Sequence, residues 1–189
     1  MWPWEHAAMG YLLYSLGRRA LGREPPSDGA AVALVFGSVL PDLVDKPLSW
    51  GLGWFPTGYA LAHSVFVAVP LGLAAMLYAR KQLVVAVVVG YWTHLLGDVL
   101  NPIRTGDPVD AGRVLWPVVE REPYAVDRGL GRGLLYVREF LVGIPGMSPF
   151  DRFLFVAVPT LTAVVWVLDG TPGTAVPNRV VRALRRWWS

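Results

Sequence analysis

Five apolar segments follow one another along the 189-residue chain, separated by short polar connections and one long loop. They lie at residues 6–21, 30–44, 60–79, 83–100 and 153–168. A helix needs about 20 apolar residues to cross a bilayer, and only the third and fourth segments meet that length comfortably. Because a backbone in lipid must satisfy its own hydrogen bonds, we expect helices despite the many valines. The pattern predicts an all-α, polytopic membrane helical bundle of about four to five spans.

The long loop, residues 101–149, is rich in Gly and Pro, and its second half has a helical periodicity. Within residues 127–142, the apolar positions at this spacing are Leu130, Leu134, Leu135, Val137 and Leu141. Arginines lie between them, which is typical of an amphipathic helix that lies on the membrane or caps the bundle. Residues 179–188 combine four Arg with two Trp. We therefore predict a membrane helical domain at 1–170, with the loop 101–149 inserted, and a basic interfacial tail at 171–189, its anchor on the cytoplasmic side.

The composition supports a membrane location. Hydrophobic residues make up 54% of the chain and charged residues 16%, whereas about 25% of the residues of a soluble protein are charged. A soluble protein with five buried helices is the alternative, but two nearly continuous apolar runs disfavour it. The chain has no cysteine, which excludes disulfides and thiolate metal ligands. Its net charge of +3 comes mainly from scattered Arg, so we expect no nucleic-acid binding.

Ionisable residues occupy the ends of four of the segments. Successive spans alternate in direction, so the start of the first, the end of the second, the start of the third and the end of the fourth lie at one membrane face. The residues at these ends are His6, Asp42, Asp45, His63, His94 and Asp98. The sequence thus gathers all three histidines of the protein and three aspartates at the same face, with His63 three residues into its segment.

Helical spacing groups these residues further. His94 and Asp98 are four residues apart and Asp42 and Asp45 three apart, so each pair shares a helix face. Three neighbouring carboxylates at a membrane interface would repel one another unless a cation lies between them. Imidazole and carboxylate ligands suit a divalent metal, with zinc favoured and manganese or iron as alternatives. The competing interpretations are helix caps for the aspartates, a helix-fixing hydrogen bond for His94, and an interfacial position for His6.

The charge distribution orients the site. The short connections on the face opposite the site contain Arg18, Arg19, Arg23, Arg80 and Lys81, and the basic tail follows on that side. The short segments on the site's own face contain only Lys46, although the arginines of the long loop also lie there. The positive-inside rule therefore predicts a multi-pass protein of the cell membrane whose site faces the extracytoplasmic side.

Several motifs resemble those of the YdjM-like membrane proteins, which are described as membrane-bound, predicted metal-dependent hydrolases. The motifs are His6-x-x-x-Gly10, the run Gly-Ser-Val-Leu-Pro-Asp-Leu-Val-Asp at 37–45, His63-Ser64, His-Leu-Leu-Gly-Asp at 94–98, and Leu-Trp-Pro at 115–117. That family is similar to zinc-dependent phospholipase C and related single-strand nucleases, which are all-helical phosphodiesterases. The resemblance implies metal ligation by His6, Asp42, His63, His94 and Asp98. Ser64 departs from the family pattern, in which Arg or another polar residue often stands.

Together these observations predict a metal-dependent hydrolase that uses a metal-activated water on a lipid or amphiphilic phosphoester. Asp45 and Asp98 are the predicted catalytic residues, with Asp45 either orienting a ligand or acting as a base. Arg104 and Arg113, beyond the fourth segment, are predicted to bind the phosphate. The expected partners are membrane lipid and this substrate. The alternative is a non-enzymatic metal-binding protein or ion transporter, although transporter sites lie closer to the bilayer midplane.

Overall fold

The computed structural model describes residues 1–78, 82–126 and 128–176, which form helices and no strand. The six α-helices are α1 (Pro3–Ala20), α2 (Asp28–Lys46), α3 (Val65–Tyr78), α4 (Gln82–Leu100), α5 (Gly131–Gly143) and α6 (Pro149–Leu168). Short helical turns lie at Pro47–Gly51, Asn101–Thr105, Ala111–Val114 and Ile144–Gly146. The all-α prediction is confirmed for the described residues. The predicted tail anchor at 179–188 lies outside them, as do Arg80 and Lys81.

Fewer helices than predicted are suited to crossing a membrane. Among the described residues, two are long and apolar enough, Gln82–Thr105 and Pro149–Leu168, against the four to five spans expected. The third segment supplies only the 14-residue α3, which is about 21 Å long at 1.5 Å per residue. Its helix begins at Val65, so His63 lies in the preceding loop and not inside a span. The first two segments form full helices, but charged residues at their ends shorten their apolar length.

Two glycines allow α2 and α4 to cross with their backbones in contact. A Cβ atom on Gly37 would lie 2.3 Å from the carbonyl oxygen of Val87, and one on Gly90 would lie 2.3 Å from that of Leu34. No side chain fits at such distances, because the obstacle is backbone and cannot turn aside. The small, fully buried Ala30 and Ala86 extend this contact. The α2–α4 crossing forms the centre of the bundle, and α1 packs against both helices.

A buried polar contact attaches α6 to α1. Asp169, at the end of α6, accepts hydrogen bonds from Tyr11 Oη at 2.7 Å and Ser15 Oγ at 2.5 Å. It also forms an ion pair with Arg19. These contacts satisfy a carboxylate that is otherwise excluded from solvent. They lie toward the end of α1 that is opposite His6.

The predicted amphipathic helix is present as α5, and it caps one end of the bundle. Phe140 packs against the rings of Trp2 and Phe155, and Tyr136 packs against Trp50. The other face of the helix carries a stripe of exposed apolar residues at spacings of three and four positions: Leu130, Leu134, Val137 and Leu141. Leu134 is 76% exposed. In a membrane protein such a stripe fits the bilayer surface.

The α2–α4 crossing predicts a strong effect of one added methyl group. We expect Gly90→Ala to destabilise the protein by about 1–3 kcal/mol, the usual effect of overpacking, and to lower its thermal midpoint in detergent. Gly17→Ala is the matched control, since a Cβ there meets nothing within 4 Å. Equal thermal midpoints for the two variants would contradict the close crossing.

The orientation of α5 can be tested because the chain has no cysteine of its own. We expect the single thiol of Leu134→Cys to react slowly with a membrane-impermeant maleimide in proteoliposomes, because lipid covers the stripe. The thiol of Glu139→Cys, exposed and away from the stripe, should react rapidly. Both should react fully after denaturation. Equal rates in proteoliposomes would show that the stripe faces water.

Candidate metal centre

The structure brings all six predicted polar residues together. Asp42 and Asp45 come from the last turns of α2, His94 and Asp98 from the C-terminal half of α4, and His6 from the first turns of α1. His63 enters from the loop before α3. All six are buried, and Asp42, at 9%, is the most exposed. Five of the six form two overlapping groups that could hold a metal ion, His6–His94–Asp98 and Asp42–His63–His94.

Two histidine nitrogens and two aspartate oxygens lie close together in the centre. His63 Nε2 lies 3.2 Å from His94 Nε2 and 3.5 Å from both Asp42 Oδ1 and Asp98 Oδ2. His94 Nε2 lies 3.8 Å from the same oxygen of Asp42 and 3.3 Å from that of Asp98. Ligands bound at 2.0–2.1 Å around a tetrahedral ion are about 3.4 Å apart. The five distances, 3.2–3.8 Å, are therefore close to the spacing of ligands around one such ion.

Hydrogen bonding at the opposite ring nitrogens favours a cation between the two rings. His94 Nδ1 donates to the carbonyl oxygen of Ser38 at 2.7 Å, so the Nε2 atom of the neutral ring carries a lone pair. His63 Nδ1 lies 2.8 Å from Asp45 Oδ2, which favours the same tautomer. Two lone pairs and two carboxylate oxygens would then face one another. A positive charge between them turns this repulsion into attraction.

The charged groups around His63 also favour a cation at the centre. The residue lies in a loop outside the two candidate spans. Burial lowers the pKa of His63, but hydrogen bonds with Asp42, Asp45 and Asp98 raise it overall, to about 10. The carboxylates thus favour a positive charge at this ring, which a proton or a metal ion in its place would supply.

Asp45 orients His63 and the loop that contains it. Besides the ring nitrogen, Asp45 Oδ2 accepts hydrogen bonds from the backbone N–H groups of Ala60 at 2.9 Å and His63 at 3.0 Å. Asp45 Oδ1 accepts one from Ala62 at 2.9 Å. These four donors occupy the acceptor positions of a fully buried carboxylate. The geometry favours the orienting role of Asp45 over the predicted role as a base.

His6 belongs to the cluster but stands outside the four-atom arrangement. Its ring stacks on that of His94 with centroids 3.8 Å apart, and its Nε2 lies 3.4 Å from Asp98 Oδ1. Its Nδ1 is buried and has no hydrogen-bond partner among the described residues. Asp98 thus connects the two groups, with Oδ2 directed to His63 and His94 and Oδ1 directed to His6.

Two side chains that the sequence analysis did not assign to the site border it. Lys46 Nζ forms an ion pair with Asp42 Oδ2 and lies over the Trp50 ring. The Tyr59 ring meets the His63 ring edge-on, with centroids 5.0 Å apart. The sequence does contain a signal for Lys46, because it lies four residues after Asp42 on the same helix face. Tyr59 has no such signal, since a loop places it there.

The two predicted phosphate-binding arginines have different surroundings. Arg104 forms ion pairs with Glu5 Oε1 at 2.8 Å and Asp151 Oδ1 at 2.6 Å. It thereby joins the first turns of α1 and α6, and its role in substrate binding stays a prediction. Arg113 borders the centre, with Nη1 3.5 Å from the Tyr59 hydroxyl.

Comparison with known proteins gives a family match and no closer relative. The family model of the YdjM inner membrane protein matches residues 1–171, a range that includes the whole centre and both arginines. No curated protein and no solved structure matches the chain. The family description and the two long apolar helices agree with a membrane location.

The orienting role of Asp45 predicts a loss of metal affinity without loss of a ligand. We expect Asp45→Asn to raise the zinc dissociation constant by roughly 10–100-fold, the usual effect of removing a partner of a ligating histidine. Competition with a chromophoric chelator measures this constant on purified protein. Asp107→Asn, at an exposed loop position, should leave the constant unchanged. An unchanged constant in Asp45→Asn would contradict the role.

Proposed function

The chain belongs to the YdjM inner membrane protein family, and we propose that it is a membrane-bound metal-dependent hydrolase acting on a phosphoester of a lipid or another amphiphile. The observation that carries the proposal is the four-atom arrangement of His63, His94, Asp42 and Asp98. Zinc suits it best, because the spacings match nitrogen and oxygen ligands of a tetrahedral ion. A catalytic zinc ion keeps one position open for water, so three of the four side chains would hold it at a time. A bound zinc ion would supply a Lewis acid that activates water and polarises a phosphoryl oxygen near neutral pH.

The protein's own residues prepare this chemistry. Asp45 and the carbonyl oxygen of Ser38 fix the two imidazole rings, so that both Nε2 atoms point inward. Lys46 balances the charge of Asp42 at the more exposed side of the centre. The burial of the remaining ligands excludes bulk water from all but this side, which strengthens the electrostatic interactions there. Asp98, as ligand and partner of His6, remains the proposed catalytic carboxylate.

The location of the centre supports an amphiphilic substrate. His6 lies in the first turns of α1, whereas Arg18 and Arg19 lie at its other end. The helix α5 and its exposed apolar stripe cap the same end of the bundle as the centre. A phosphoester at the level of the lipid headgroups would therefore reach the ligands. By the positive-inside argument, this end faces the extracytoplasmic side in our proposal.

A zinc transporter is the second candidate function. The burial of Asp42 and Asp98 supports it, because transport sites also use inward-facing acidic residues. Their usual place, however, is a broken helix near the midplane, and this centre occupies helix ends. Uptake of zinc into liposomes containing the purified protein distinguishes the two functions, because the hydrolase proposal predicts none.

The hydrolase proposal is tested on protein purified in detergent. We expect the protein to contain zinc by elemental analysis and to hydrolyse members of a panel of phosphodiesters and phospholipids. His94→Ala should lose the metal and at least about 100-fold of the activity, since removing a ligand exceeds the effect of removing its partner. The Asp107→Asn variant, purified identically, controls for contaminating hydrolases. Absence of metal, or activity unchanged in His94→Ala, would refute the proposal.

A further inference from the structure

Two arginines share one aromatic ring beside the metal centre. The guanidinium carbons of Arg113 and Arg121 lie 5.3 and 5.5 Å from the centroid of the Tyr59 ring. The other contact of this ring is with His63. A single aromatic side chain therefore separates both guanidinium groups from a metal ligand. Stacking on an aromatic face holds an arginine in place while its N–H donors remain free to bind.

The charge of this pair is only partly neutralised. Arg113 Nε and Arg121 Nη1 both donate to the same oxygen of Asp110, at 3.1 and 2.7 Å. Among the described residues, Asp110 is the only carboxylate that forms an ion pair with either arginine. Partial burial raises the pKa of Asp110, but the hydrogen bonds from Arg121 and Arg113 outweigh this and lower it. One full positive charge therefore remains on the pair.

The N–H donors of the two guanidinium groups indicate which kind of ligand the pair would bind. Each guanidinium has five donors in a planar fork, and the contacts with Asp110 and Tyr59 use only some of them. Both side chains are partly exposed, at 18% for Arg113 and 31% for Arg121. Paired forks with free donors suit the oxygens of a phosphate group. By contrast, Arg104 has its charge balanced by two carboxylates.

We propose that Arg113 and Arg121, held on Tyr59, bind the phosphate group of the substrate beside the metal centre. This inference rests on the proposed function for the identity of the substrate, and it adds the residues that select for phosphate. Asp110 positions the two guanidinium groups by sharing one oxygen between them. Arg121 has no counterpart in the sequence motifs, because it lies eight positions after Arg113 and a loop brings the two together.

The experiment measures binding of inorganic phosphate to the zinc-loaded protein by calorimetry. The double variant Arg113→Gln/Arg121→Gln should bind phosphate at least about tenfold more weakly, because two charge-assisted contacts are lost. Its zinc content should equal that of the unmodified protein, since neither residue contacts a ligand atom. Arg138→Gln, an exposed arginine of α5, is the matched control and should bind normally. Unchanged phosphate binding in the double variant would overturn the proposal.

A second variant guards against loss of folding as the explanation. Asp110→Asn retains an oxygen that accepts the arginine hydrogen bonds but removes the neutralising charge, so phosphate binding should become severalfold tighter. A misfolded protein cannot bind more tightly, and weaker or equal binding in Asp110→Asn would count against the proposal. Short-chain phosphatidylglycerol and glycerophosphoglycerol, which share a phosphodiester headgroup, form a further arm. Tighter binding of the lipid identifies a headgroup source, and equal binding identifies a soluble one.

These measurements separate the inference from the function on which it rests. Phosphate binding that depends on both arginines, in a protein without hydrolase activity, would retain the phosphate site and refute the hydrolase. Hydrolysis of phosphodiesters with KM unchanged in the double variant would retain the hydrolase and refute the phosphate site. The first outcome requires no turnover, because calorimetry detects binding alone.

Discussion

The backbone contact between α2 and α4 at Gly37 and Gly90 is the constraint on which the centre depends. It brings the carbonyl oxygen of Ser38, the residue next to Gly37, within 2.7 Å of His94 Nδ1. One helical turn beyond Ser38, Asp42 then lies opposite His94. A separation larger by a single methyl group would break the hydrogen bond that fixes the imidazole. The two glycines thus help to set the geometry of the candidate metal centre, although neither contributes a side chain to it.

Asp45 extends this order from the helices into a loop. A histidine on a loop would ordinarily be less precisely placed than one on a helix. Here three backbone N–H groups of residues 60–63 and the His63 ring all bind one buried carboxylate. A fully satisfied buried network of this kind makes its members rigid. The loop therefore places His63 as precisely as the helices place the other candidate ligands. The three buried aspartates supply negative charge that a divalent ion would balance.

The sequence predicted the members of the centre better than the number of spans, and the reason is physical. Gathering His6, Asp42, His63 and His94 at one end requires only that successive segments run in opposite directions. It does not require that each segment cross the bilayer, so the short α3 leaves the convergence intact. No comparable rule predicts contacts between a residue of the long loop and distant helices. Arg104 forms ion pairs with Glu5 and Asp151, which lie 99 and 47 positions away from it in the chain. Hydrophobic periodicity does not predict such ion pairs.

The two ends of the bundle are chemically distinct, and this bears on what the centre can act upon. At one end of α1, Asp169 is fully satisfied by Tyr11, Ser15 and Arg19, and this network only holds helices together. At the other end, three aspartates and three histidines are buried together, and His6 retains a buried nitrogen without a partner among the described residues. Buried polar groups are nearly always paired in proteins. This departure, beneath an amphipathic helix and beside two arginines that share one carboxylate, fits a site for a ligand better than a purely structural network.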